Sequence, residues 1–148
     1  MAITVSIVED DARVRDSLVG LISRAPGFQC ISHYSTGEEA LADIPRHKPE
    51  VVLMDINLPG MSGIECVRQL KAIEPACQVV MLTVYENTEQ IFKALAYGAS
   101  GYLLKATAPE ELLSAIQDVH RGGSPMTSHI ARKVVQSFQQ PPPPSAKA

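Results

Sequence analysis

The sequence has no tryptophan and only three cysteines, and none of its hydrophobic runs is long. The cysteines, Cys30, Cys66 and Cys77, are widely separated and form neither a CxxC pair nor a zinc-binding motif. We therefore expect reduced thiols in a reducing compartment. No apolar run approaches the ~18 residues that a membrane span requires, and the first residues lack the basic and apolar regions of a signal peptide. These absences predict a cytoplasmic protein that does not enter a membrane.

Neither sign of charge is in large excess. The 148 residues include 13 Lys and Arg against 16 Asp and Glu, which gives a net charge of −3. Because a DNA-binding module carries a basic face, this balance argues against nucleic-acid binding by this chain itself. Residues 126–148 contain three basic residues and no acidic one, so the first 125 residues carry −6. Such an excess of carboxylates suggests that some of them bind a cation.

Short β-branched runs alternate with amphipathic stretches along most of the chain. The periodicity predicts strands at residues 3–8, 28–34, 51–54, 78–82 and 101–104. It predicts helices over 11–23, from Ser35 or Thr36 through Ile44, over 62–73, from Asn87 through Ala96, from Thr107 to Gly122 and over 128–139. Thr107 and Glu110 have the spacing of a capping box for the fifth of these helices. Residues 141–148 form a Pro-rich segment, typical of a stiff linker.

Five β-then-α units with short connections predict an α/β fold. We expect a doubly wound, five-stranded parallel sheet with helices on both faces, because consecutive parallel strands need crossover helices. The expected strand order is 2-1-3-4-5, the flavodoxin-like arrangement, in which ligands bind outside the carboxyl ends of the strands.

Polar residues stand at those carboxyl ends. The residues that directly follow the strands are Glu9, Asp10 and Asp11 for the first, Asp55 for the third, Thr83 for the fourth and Lys105 for the fifth. Each of them alone has an ordinary explanation as a strand terminus or a solvated charge. Their joint placement at one edge of the sheet favours a functional site.

The chemistry of this set points to a divalent cation and to phosphate. Carboxylates brought within ~4–6 Å repel each other unless a proton or a cation intervenes. Oxygen-only ligands favour Mg²⁺ or Mn²⁺. Zinc is disfavoured because no cysteine or histidine lies near the strand ends; the four histidines, His33, His47, His120 and His129, are scattered. Asp55 is a potential nucleophile whose attack on phosphorus gives an acyl phosphate, with Lys105 and Thr83 available to phosphoryl oxygens.

The combination of Glu9-Asp10, Asp55, Thr83, Tyr102 and Lys105, with the run Asn57-Leu58-Pro59-Gly60-Met61-Ser62-Gly63, resembles the receiver domain of two-component response regulators. The resemblance covers residues 3 to about 122. It implies that Asp55 accepts a phosphoryl group from a sensor histidine kinase. Counting back from Arg15, the acidic pair of the family falls on Glu9-Asp10 rather than on Asp10-Asp11, which leaves Asp11 as a helix N-cap.

The resemblance also assigns expected roles. Mg²⁺ would be bound by Asp10, Asp55 and the backbone carbonyl of Asn57, with Glu9 acting through water, and Lys105 would contact the phosphoryl group. Thr83 and Tyr102 would form the switch pair. The added charge on Asp55 would draw Thr83 inward and vacate space for Tyr102. The face built from the fourth helix, fifth strand and fifth helix would then change shape and favour a homodimer.

The run from Ala96 to Lys105 and the Arg121-Gly122-Gly123 that follows resemble NarL-like regulators, which usually continue into a LuxR-type helix-turn-helix domain. This implies a receiver domain over residues 1–122, an extension with an extra helix over 123–140 and a linker over 141–148. DNA binding would then belong to a C-terminal domain absent from this chain.

Two other functions and one kinetic hypothesis stay open from the sequence. A Mg²⁺-dependent phosphatase or hydrolase would also use Asp55 as a nucleophile, but that class usually needs a second acid and a cap domain. A receiver-like module that only binds partners has no need of the full set of acids, Thr83 and Lys105. Asn57 and Tyr85 lie two residues past Asp55 and Thr83, so a bulky Tyr85 could hinder the hydrolytic water and lengthen the phosphoryl lifetime.

Overall fold

The computed structural model describes residues 2–139. Its strands are β1 (Ile3–Val8), β2 (Phe28–Tyr34), β3 (Val51–Met54), β4 (Gln78–Thr83) and β5 (Gly101–Leu104). Its helices are α1 (Ala12–Arg24), α2 (Gly37–His47), α3 (Gly63–Ile73), α4 (Thr88–Ala96), α5 (Pro109–His120) and α6 (Ser128–Gln139). The predicted linker over 141–148 lies outside the described residues, as does the end of the 123–140 extension. Among the described helices, none is both long enough and apolar enough to span a membrane.

All five strands form one parallel sheet in the order β2-β1-β3-β4-β5, which confirms the predicted topology. Successive side chains of a strand point to opposite faces of the sheet, so each strand contributes side chains to the cores on both faces. In β3, Val52 and Met54 pack in the core that contains residues of α2, α3 and α4, whereas Val51 and Leu53 pack in the core that contains residues of α1 and α5. Burial on both faces explains why β3 is apolar throughout.

Short polar side chains begin most of the helices, as expected, but the predicted capping box at Thr107 is wrong. Helix α5 begins at Pro109, and its N-cap is Ala108, which makes no side-chain capping hydrogen bond. A proline is favoured at the first helical position and disfavours helical geometry in the residue before it, so the helix cannot start earlier. The Thr107 hydroxyl instead donates to the carbonyl oxygen of Leu104, at 2.6 Å.

Helix α6 packs against the sheet domain. Ile130 is fully buried in the same core as Tyr102, and Phe138 meets Phe92 of α4 edge to face, with ring centroids 6.3 Å apart. The segment before α6 runs beside β5, because the Tyr102 N–H donates to the Pro125 carbonyl (2.9 Å) and the Thr127 N–H donates to the Tyr102 carbonyl (3.2 Å). This segment covers part of the open edge of the sheet.

Candidate functional site

The acidic cluster forms because β1 and β3 are neighbours. Val8 pairs with Met54 in the sheet register, so the residues that follow them lie side by side, and the Asp55 N–H donates to the Val8 carbonyl at 3.0 Å. One carboxylate oxygen from each of Glu9, Asp10 and Asp55 lies within 4.8 Å of the others. Glu9 and Asp55 are buried, whereas Asp10 is exposed at the rim. The structure thus brings together three of the predicted residues.

Lys105 reaches this cluster from the end of β5. Its Nζ lies 2.7 Å from Glu9 Oε1 and 3.0 Å from Asp55 Oδ2, and its backbone N–H donates to the Thr83 carbonyl at 2.9 Å. Burial by itself lowers the pKa of the ammonium, but the hydrogen bonds to the two carboxylates outweigh it and raise that pKa. Lys105 is therefore held as a cation between two buried carboxylates.

The donor set fits a hard divalent cation. Burial raises the pKa of Glu9, against the lowering effect of the hydrogen bond with Lys105 and with a further rise from the charge of Asp55. Three carboxylates in the cluster face the single ammonium of Lys105, so the cluster has more acidic groups than basic ones. Three carboxylates beside an open rim are the ligands that Mg²⁺ prefers, with room left for water. The residues present thus fit the metal that the sequence predicts.

The side chains of Asn57 and Asp11 are not part of the cluster of three carboxylates. The Asn57 N–H points to Asp55 Oδ1 at 3.4 Å, and the residue is exposed. The Asp11 carboxylate accepts from the backbone N–H groups of Arg13 (2.9 Å) and Val14 (3.3 Å), so Asp11 caps α1 as expected. The cluster accordingly consists of Glu9 and Asp10 with Asp55, and Asp11 lies outside it.

Gly63 has a structural role at the site that the sequence did not reveal, although the residue belongs to the 57–63 run. A Cβ at this position would overlap the carbonyl oxygen of Asp55, and the Gly63 N–H donates to the Ile56 carbonyl at 2.8 Å. The first turn of α3 therefore packs directly against the backbone of Asp55. Only glycine allows this approach, which keeps the loop after β3 close to the site.

Thr83 and Tyr102 are connected through the backbone of Tyr85. The Thr83 hydroxyl oxygen accepts from the Tyr85 N–H at 3.3 Å, and the Tyr102 hydroxyl donates to the Tyr85 carbonyl at 2.9 Å. Both Thr83 and Tyr102 are fully buried. Burial, with a contribution from the charge of Asp55, raises the pKa of Tyr102 to about 12. The Tyr102 ring therefore already lies in the interior, the position expected for it after activation.

Comparison with known proteins gives a consistent result. A protein-family model described as the response regulator receiver domain matches residues 5–117. The chain is 34% identical to the transcriptional regulatory protein UhpA of Escherichia coli (strain K12), over 94% of this chain and 69% of UhpA. It is 32% identical to the response regulator UvrY of the same strain, over 94% of this chain and 64% of UvrY. The chain thus spans about two thirds of these relatives.

Solved structures agree. A two-component response regulator of the LuxR family from Aurantimonas sp. SI85-9A1 superposes with a TM-score of 0.89 at 29% identity, covering 95% of this chain and 100% of that one. A DNA-binding response regulator of the LuxR family from Staphylococcus aureus gives a TM-score of 0.75 at 28% identity, covering 79% of this chain and 98% of that one. The Aurantimonas match covers nearly all of the described residues.

Proposed function

The chain belongs to the receiver-domain family of response regulators, which are signalling switches, and from its site geometry we propose that Asp55 is the residue that accepts the phosphoryl group. The donor would be a phosphohistidine of a sensor histidine kinase. The observation that carries the proposal is the position of the buried Asp55 carboxylate, 3.0 Å from the Lys105 ammonium and beside two further carboxylates. A buried nucleophile next to a fixed cation suits attack on an anionic phosphoryl group.

The reaction we propose is a transfer between two nucleophiles. An oxygen of Asp55 forms a bond to phosphorus while the bond from phosphorus to the imidazole nitrogen of the donor breaks, and that nitrogen keeps the electron pair. Lys105 offsets charge on a phosphoryl oxygen, and Thr83 donates a hydrogen bond to another. Asp10, Asp55 and the Asn57 carbonyl would hold Mg²⁺, with Glu9 acting through water. When bound, the ion would supply further neutralisation of the phosphoryl oxygens.

The same residues support a switching mechanism. Phosphorylation adds about −1.5 to −2 charge at Asp55, which gives the Thr83 hydroxyl a strong new acceptor. Because that hydroxyl also accepts from the Tyr85 N–H, a movement of Thr83 pulls on Tyr85 or releases it. The Tyr85 carbonyl in turn holds the hydroxyl of Tyr102. We propose that Thr83 and Tyr102 act as a switch pair through this shared backbone.

The contacts of β5 suggest how the conformational change at the site is transmitted to the rest of the domain. We propose a receiver domain over residues 1–122 and an extension over 123–140 that carries the signal, since Tyr102 is hydrogen-bonded through its backbone to Pro125 and Thr127. The face of α4, β5 and α5 would then favour a homodimer. DNA binding would be the role of a C-terminal domain in a longer protein, which the greater length of the relatives supports.

The direct test is the intact mass of the protein after incubation with Mg²⁺ and acetyl phosphate. The wild type and an Asp16→Asn control, which removes an exposed carboxylate of α1, should each gain one phosphoryl group, whereas Asp55→Asn should gain none. An adduct on Asp55→Asn, or none on the wild type, would refute Asp55 as the acceptor. Many turnovers of a phosphate monoester by the wild type would instead favour the phosphatase alternative.

A further inference from the structure

Arg15 on α1 contacts the backbone of the acidic pair. Its Nη1 donates to the carbonyl oxygen of Glu9 at 2.8 Å and lies 3.5 Å from the carbonyl oxygen of Asp10. The backbone N–H of Arg15 also makes the first hydrogen bond of the helix, to the Asp11 carbonyl at 2.9 Å. The backbone of Arg15 is thus fixed in the first turn of α1, and its guanidinium reaches back to the carbonyl groups of Glu9 and Asp10.

We propose that Arg15 is a positioning residue for the cation site. By donating to the Glu9 carbonyl, with its Nη1 also close to the Asp10 carbonyl, it fixes the turn between β1 and α1 so that the Glu9 and Asp10 carboxylates converge on Asp55. This inference rests on the proposed function, because it assumes that the three carboxylates bind Mg²⁺.

The two carboxylates depend on Arg15 to different degrees. Glu9 is held by other bonds as well: its N–H donates to the Tyr34 carbonyl at 3.0 Å, and its Oε2 accepts from the Asp11 N–H at 3.1 Å. Asp10 is exposed, so the direction of its side chain depends mainly on the backbone that Arg15 holds. Loss of Arg15 should therefore loosen Asp10 first.

The electrostatic effect of Arg15 has the opposite sign from the positioning effect. A positive charge near the cluster repels a cation, so removing that charge alone should tighten Mg²⁺ binding. Losing the fixed geometry should weaken binding, since residues that orient metal ligands commonly contribute about 10-fold or more to affinity. The direction of the change therefore separates the two effects.

The chain offers a matched control in Arg13. It lies two residues earlier on α1, is exposed, and its guanidinium makes no hydrogen bond within residues 2–139. Arg13→Ala removes the same charge without touching the turn. Arg15→Lys keeps the charge but replaces the rigid, five-donor guanidinium with a single ammonium.

The experiment is a calorimetric Mg²⁺ titration of the folded, unphosphorylated protein, with thermal unfolding of each variant measured without metal. We expect Arg15→Ala to raise the Kd for Mg²⁺ about 10-fold, Arg15→Lys to raise it by less, and Arg13→Ala to leave it unchanged or lower it. Should Arg15→Ala fail to fold, Arg15→Lys against Arg13→Lys provides the comparison at constant charge.

Two results would overturn the inference. If Arg15→Ala, or Arg15→Lys in its place, binds Mg²⁺ as tightly as the wild type, Arg15 does not position the ligands. If the Arg15 variants lose Mg²⁺ affinity only in proportion to their loss of thermal stability, and Arg13→Ala loses affinity in the same way, the effect comes from general destabilisation and not from positioning of the ligands. A wild type that binds no Mg²⁺ would refute the proposed cation site itself, a result distinct from either of these.

Discussion

Replacing Ile130 with alanine tests whether α6 is part of the folded receiver unit in solution. The Ile130 side chain has no exposed surface and lies in the same core as Ile91 of α4 and Tyr102 of β5. The substitution removes three carbon atoms from this core. At about 0.8 kcal/mol for each buried carbon, the lost transfer free energy is about 2.4 kcal/mol.

The cavity left behind adds to that figure, and relaxation of the helix subtracts from it. Measured Ile→Ala substitutions in cores cost about 2–5 kcal/mol, depending on how well the site collapses. Helix α6 contacts the domain along one side only, and its Val135 and Phe138 side chains are exposed, so it can shift toward the gap. We therefore expect the lower part of the range, a loss of about 2–3 kcal/mol in the free energy of unfolding.

The assay is urea unfolding followed by circular dichroism, with the midpoint compared at constant slope. Val135→Ala is the matched control, because Val135 is on the same helix but 46% exposed, and we expect it to change stability by no more than about 0.5 kcal/mol. If Ile130→Ala is no more destabilising than Val135→Ala, α6 is undocked in solution and the extension is not part of the domain.

Three further predictions follow from the site and the thiols. Lys105→Ala leaves its two carboxylate partners without their cation and should lower stability by on the order of 3 kcal/mol. Added Mg²⁺ should then raise the Tm more than in the wild type, because the Lys105 ammonium no longer competes with Mg²⁺ for these carboxylates. An equal rise in Tm would contradict this competition. Burial raises the pKa of Cys66 to about 12 and of Cys77 to about 11, so at pH 8 iodoacetamide should add at most one group, on Cys30, to the native protein and three after denaturation; rapid triple labelling of the native protein would show that the two buried thiols are accessible. Tyr85→Ala should speed loss of the phosphoryl group several-fold, measured by intact mass over time, and an unchanged rate would rule out Tyr85 as a barrier to the hydrolytic water.

The edge of the sheet that carries the site could be predicted from local patterns. Apolar runs end abruptly at Asp55 and Thr83, and the βα alternation predicts a parallel sheet, in which all strands end at the same edge, so the residues after the strands had to share that edge. For the same reason the helix N-caps at Asp11 and Asn87 were predictable, since a short polar side chain satisfies free N–H groups wherever a helix begins.

Contacts between residues far apart in the chain could not be predicted in this way. Nothing in the periodicity shows that Tyr85 links Thr83 to Tyr102 through its backbone, because that link needs the loop after β4 to fold over β5. Arg15 appeared in the sequence only as a landmark for counting, and its contact with the Glu9 carbonyl depends on where α1 begins.

The sequence by itself determined the order of the elements, the parallel sheet and the chemical types that meet at its edge, because these follow from hydrophobic periodicity and from the handedness of βαβ connections. Only the tertiary structure decided that the Lys105 ammonium lies between Glu9 and Asp55, that the Tyr102 ring is inside the core and that Ile130 of α6 is buried. Those features depend on side-chain packing and charge pairing between elements distant along the chain, which no local pattern encodes.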